Sequence, residues 1–136
     1  MINAPVTPLY AGLLGLTLLV LSVLVIRQRV RVKLALGLGE DLMLLRASRA
    51  QGNFVEYAPL LLVMLLALEL GGTPFWLLHG IGLAVVGGRL SHALAISREP
   101  EQLQLRQLGM LLTFTALLVA SLALLWMGLA PGAAGE

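Results

Sequence analysis

Residues 49–60 read Arg49-Ala50-Gln51-Gly52-Asn53-Phe54-Val55-Glu56-Tyr57-Ala58-Pro59-Leu60 and open into a long apolar run. On a helix, Arg49, Asn53 and Glu56 recur at i, i+4 and i+7 and share one face. Arg46 and Tyr57 flank it. A guanidinium, an amide and a carboxylate in one row suit a small, polar, mostly anionic ligand. Surface anchoring explains single arginines, but it explains poorly three such groups entering the bilayer together. Arg27, Arg89, His92 and Arg106 are further candidates. The chain has no cysteine, which removes any thiolate nucleophile and any zinc or iron–sulfur site built on sulfur. With two histidines, no metal centre is expected.

The elements that position these groups follow from composition. The chain has 136 residues, 59% hydrophobic and 12% charged, whereas a soluble domain carries about 25% charged residues. That excludes a soluble fold, a disordered chain and a disulfide scaffold, and leaves a membrane protein. The pattern predicts one all-α domain over residues 1–136 with four transmembrane helices, near 8–26, 41–70, 74–96 and 106–129. Glycine pairs and prolines, including the Pro131-Gly132 tail, mark the ends. Apart from a first loop of about 14 residues, the connections have the short lengths typical of an up-down bundle. The first apolar run has its basic flank after it and no cleavage site, so it reads as a span and not as a signal peptide.

All nine Lys and Arg residues fall in or beside the first and third loops. The positive-inside rule makes those loops cytoplasmic and both termini non-cytoplasmic. It also explains the basic isoelectric point without nucleic acid. At 1.5 Å per residue, Glu56 lies roughly 20 Å from the outer end of span two, and Arg89 about 22 Å down span three. His92 matches Asn53 in the same way. Arg27 and Arg106 close the level from spans one and four. Arg89–Glu56 reads either as a structural ion pair or as part of a ligand site. The basic residues 27–33 read as anchors, His92 as a satisfied polar residue, and Gly80, Gly82, Gly87 and Gly88 as close helix packing. His79 is expected against a neighbouring helix or at the outer interface, and Glu69 and Trp76 at the outer boundary.

The Arg49–Leu60 segment resembles the signature of the MAPEG family, the membrane-associated proteins in eicosanoid and glutathione metabolism. Its pattern is similar to the leukotriene-synthase branch. Thr73-Pro74-Phe75-Trp76 through Gly88-Arg89-Leu90-Ser91-His92, and Ile26-Arg27-Gln28-Arg29, resemble the microsomal prostaglandin E synthase branch. The resemblance implies a homotrimer that binds glutathione between protomers near the cytoplasmic side. Arg27, Arg49, Asn53, Glu56, Tyr57 and Arg89 are the implied glutathione-binding set. Arginine forks suit the tripeptide's carboxylates, Glu56 its ammonium group, directly or through Arg89, and Asn53 a peptide group.

Gln104-Leu105-Arg106 resembles the segment with the family's thiolate-activating arginine, so Arg106 is the expected catalytic residue and His92 an auxiliary donor. The stretch between His92 and Arg106 is about two residues longer than in that branch. Ile96 stands where both eukaryotic branches carry tyrosine, which points to a bacterial-type member in an inner membrane. The expected function is a glutathione transferase, with peroxidase activity a variant, that joins glutathione to a lipophilic electrophile from the bilayer. The alternative is a non-catalytic lipid-binding or activator protein of the same family. A small multidrug transporter has similar size but uses a carboxylate in span one, and here span one has none.

Overall fold

The sequence's four long apolar stretches each fold as one unbroken helix: α1 (Val6–Val32), α2 (Leu42–Leu70), α3 (Phe75–Ser97) and α4 (Leu103–Leu129). The computed structural model describes residues 5–129. The Pro131-Gly132 stop and both chain termini lie outside that range. Each helix is long and apolar enough to cross a membrane, and the fold is an all-helical, four-span membrane bundle. Leucines on every helix stay exposed, as Leu16, Leu60, Leu83 and Leu118 do. The buried core is comparatively slim: Tyr10, Phe54, Leu61, Leu65, Leu78, Ile81 and Val85 form its centre. Lipid tails are as apolar as leucine, so such a bundle has no drive to hide its outer faces.

Two boundaries differ from expectation. Helix α1 runs on to Val32 and carries Arg27, Arg29 and Arg31 within it, where the apolar pattern ends at 26. Arginine is a good helix former and its charge complements the negative C-terminal dipole. The helix stops at Lys33, whose φ of 55° is left-handed, and the Lys33 and Leu34 N–H groups bond the Val30 and Arg29 carbonyls. The first loop shrinks accordingly. Helix α4 begins at Leu103, three residues early, and places Arg106 in its first turn.

Side chains tie one helix to the end of the next. Asp41 caps α2 by accepting from the Leu44 N–H at 2.8 Å. That N–H and the Arg31 guanidinium hold its carboxyl below the usual carboxylate range. Arg46 donates to the Arg98 carbonyl at 2.6 Å, and so secures the end of α3. At the far end Glu69 accepts from the Val6 and Thr7 N–H groups, which would otherwise be orphaned in the first turn of α1. The Tyr10 hydroxyl meets His79 Nδ1 at 2.8 Å, so His79 does face a neighbouring helix. Helix α2 packs on α1, α3 and α4, while α1 and α4 do not meet.

The glycines of α3 divide into two groups. A Cβ on Gly88 would lie 2.7 Å from Thr113 Oγ1 and 2.8 Å from the Gly109 carbonyl oxygen. One on Gly109 would lie 2.7 Å from both the Gly88 oxygen and the His92 nitrogen. The α3 and α4 backbones therefore touch here. Gly82 makes room for the Tyr10 ring in the same way. Gly80 meets nothing within 4 Å and Gly87 only an ordinary contact at 4.0 Å, because both point away from the seam, so packing within the protomer does not explain them. Gly88→Val should destabilise the bundle by about 1–3 kcal/mol through overpacking. Gly80→Ala should stay within about 0.5 kcal/mol of wild type. Thermal unfolding in detergent measures both, and equal losses at the two positions would contradict the backbone contact.

Candidate functional site

The Gly88–Gly109 contact sets the site, because it brings the next residue, Arg89, against α4. Arg89 is 1% exposed. Its Nε donates to Thr113 Oγ1 at 3.0 Å and its Nη2 to the same oxygen at 2.6 Å. Nη1 donates to Asn53, at the carbonyl oxygen (3.3 Å) and at the side-chain oxygen. Met110 Sδ lies 3.5 Å from Nη2, and the Tyr57 ring centroid is 5.1 Å from the guanidinium carbon. The Thr113 hydroxyl itself donates to the Gly109 carbonyl at 2.8 Å. Every partner is a neutral acceptor or a π face.

Of the two readings of Arg89 and Glu56, the structural ion pair does not form. Among the described residues the ion pairs are Arg31–Asp41 and Arg106–Glu101. Glu56 lies three residues beyond Asn53 on α2 and is exposed on a single protomer, whereas Arg89 is drawn inward between α2 and α4 by Asn53 and Thr113. Matching depth is therefore not matching direction.

Beside this node, toward the basic ends of the helices, is a cavity of about 540 Å³ lined by Leu38, Ser48, Arg49, Gly52, Asn53, Glu56, His92, Ile96 and Arg106. It brings together five of the eight residues singled out by sequence: Arg49, Asn53 and Glu56 from α2, His92 from α3 and Arg106 from α4. Gly52 opens the α2 wall between the arginine and the amide. Arg106 is half-buried, and its Nη1 pairs with Glu101 at 2.7 Å. Ile96 is 8% exposed and forms an apolar wall beside these charges. Polar and apolar surfaces thus meet in one pocket.

The other three sit elsewhere. Arg89 and Tyr57 lie behind the cavity, stacked on each other, with Tyr57 edge-on to Phe114 at 5.8 Å between centroids. Arg27 is exposed on α1 and does not line the cavity of its own protomer. Sequence reasoning missed Thr113, Met110 and Glu101. Thr113 was findable: counted from Leu129 it lies about 24 Å down α4, close to the roughly 21 Å of Arg89 below Phe75. Glu101 carried no such signal, since it reaches Arg106 from a loop.

The comparisons with known proteins agree with the fold. The inner membrane protein YecN of Escherichia coli strain K12 is 37% identical over 121 residues, which covers 89% of this chain and 91% of that protein. YecN of E. coli O6:H1 matches to the same extent. No solved structure matches the chain. The model of the MAPEG family matches residues 7–126. With that match running through all four helices and the cavity between them, the chain belongs to the MAPEG family.

Proposed function

We propose that the protein is a glutathione transferase of a bacterial inner membrane, with glutathione held in the 540 Å³ cavity. The observation that carries this reading is the convergence of Arg49, Asn53, Glu56, His92 and Arg106 on one pocket whose remaining wall includes Ile96. Glutathione carries two carboxylates and an ammonium group on a peptide backbone. Arg49 offers a bidentate fork to a carboxylate, Glu56 an acceptor for the ammonium, and Asn53 an amide for the peptide. Arg106 stabilises the thiolate, because a cation beside a thiol lowers its pKa and raises the reactive fraction at neutral pH. His92 is an auxiliary donor. The thiolate sulfur attacks an electrophilic carbon and forms the new C–S bond. The electron pair leaves with a departing group or rests on an acceptor atom that then takes a proton.

By the positive-inside rule the basic end faces the cytosol, where glutathione is available, and both termini face away. The electrophile arrives from the bilayer. Glu56 supports a homotrimer. It lies about 21 Å below the outer end of α2, at a depth where an uncovered carboxylate costs a few kcal/mol, yet it is exposed on a single protomer. A neighbouring copy that covers it would also bring the exposed Arg27 toward the cavity.

Ile96 favours a second reading, a family member that binds glutathione or lipid without turnover. An isoleucine supplies no hydrogen-bond donor to a developing thiolate.

Calorimetry on purified protein in detergent should show glutathione binding, and Arg49→Ala and Glu56→Ala should each weaken it by about 2 kcal/mol. Arg106→Ala should lower kcat/KM with a generic electrophile by about 10²-fold and reduce the thiolate's ultraviolet absorbance. Glu101→Gln, which frees Arg106 from its ion pair, should keep or raise that absorbance; a loss would mean that Glu101 and not Arg106 governs the thiol. Binding without turnover of any electrophile selects the second reading. Chemical cross-linking in native membranes should stop at the trimer, and a species confined to monomer and dimer contradicts the assembly.

A further inference from the structure

Asn53 is the one residue shared by the buried node and the cavity. Arginine has five N–H donors and no acceptor, so the atom of the Asn53 amide that faces Arg89 must be the oxygen. The opposite rotamer would press an NH₂ group against a guanidinium. Arg89 cannot turn away, because Nε and Nη2 are held by Thr113 and Nη1 also bonds the Asn53 carbonyl. The guanidinium is 1% exposed and fixed between three helices. It therefore sets the orientation of an amide that lines the pocket.

We infer that Arg89 is a positioning residue that commits the Asn53 oxygen and leaves the Asn53 NH₂ as a donor-only contact in the cavity, so that this wall selects a hydrogen-bond acceptor on the ligand. The acceptor class is a carboxylate or carbonyl oxygen, or the thiolate sulfur; a ligand ammonium or amide N–H is refused there. This rests on the glutathione reading and sharpens it. The ammonium group of the tripeptide is directed to Glu56, three residues along the same face, and an acceptor of the tripeptide to Asn53. The positive charge behind the amide has no carboxylate among its hydrogen-bond partners, so it polarises the Asn53 N–H bonds outward and strengthens them as donors.

The test is Asn53→Asp. Aspartate has the same shape and still accepts from Arg89, but it presents a second acceptor where the NH₂ stood. The variant should unfold within about 3 °C of wild type. Its glutathione affinity by calorimetry should fall by at least about tenfold, the loss of one hydrogen bond to a charged group. Arg89→Lys, which cannot span Asn53 and Thr113 together, should weaken binding in the wild-type background and have little further effect in the Asn53→Asp background. A purely structural arginine would weaken both backgrounds alike. Wild type that binds glutathione, with Asn53→Asp binding equally well or better, overturns this inference and leaves the glutathione reading standing. Wild type that does not bind glutathione overturns the reading itself, and with it the ligand assigned to Asn53.

Discussion

A guanidinium buried in the middle of a membrane bundle constrains everything around it. Placing a charge at such depth costs about 2.5–3.5 kcal/mol on insertion scales even where the chain can adapt, and Arg89 has no carboxylate among its hydrogen-bond partners to offset that. The compensation is geometric. Thr113, Asn53, Met110 and the Tyr57 face surround the cation with neutral acceptors. They come from two successive turns of α2 and one turn of α4. The helices can deliver them only if α3 and α4 come into backbone contact, which is what Gly88 and Gly109 allow. The small-residue seam and the polar node are one feature.

That feature divides labour between the two ends of the bundle. Away from the basic end, the helices are joined by contacts that leave little polar surface free: Glu69 to the start of α1, Tyr10 to His79, and Tyr10 seated over Gly82. Toward the basic end the side chains grow longer and more charged, and the space between α2, α3 and α4 widens into the cavity. Arg46 keeps α2 and α3 together there by bonding the carbonyl end of α3, so the pocket stays open without the helices separating.

Much of this was legible in the residues. Span number and the ends of α2 and α3 follow from apolar length, glycine stops and prolines. The shared face of Arg49, Asn53 and Glu56 follows from helical period, and their level with His92 and Arg106 from the antiparallel path. What depth arithmetic could not supply was azimuth. Arg89 and Glu56 stand at one height, but Arg89 turns inward between α2 and α4 while Glu56 stays exposed, and only packing decides that. The continuation of α1 to Val32 was hidden for another reason: hydropathy marks where a membrane ends, not where a helix does, and the arginines beyond residue 26 are helix formers in their own right.

The placement of Ile96 and the Arg106–Glu101 pair then bears on chemistry. A thiolate site needs net positive potential, and the cavity itself holds Arg49 and Arg106 against Glu56, with Glu101 neutralising Arg106 from the loop. Without a further cation the pocket would be close to neutral. Arg89 adds one from behind the wall, with no carboxylate among its hydrogen-bond partners. On the glutathione reading, its field at the Asn53 amide would favour an anion in the pocket. Ile96, 8% exposed, gives that part of the wall an apolar surface beside the charges. On that reading, a cation too deeply buried to bind a ligand directly still biases the pocket toward an anion.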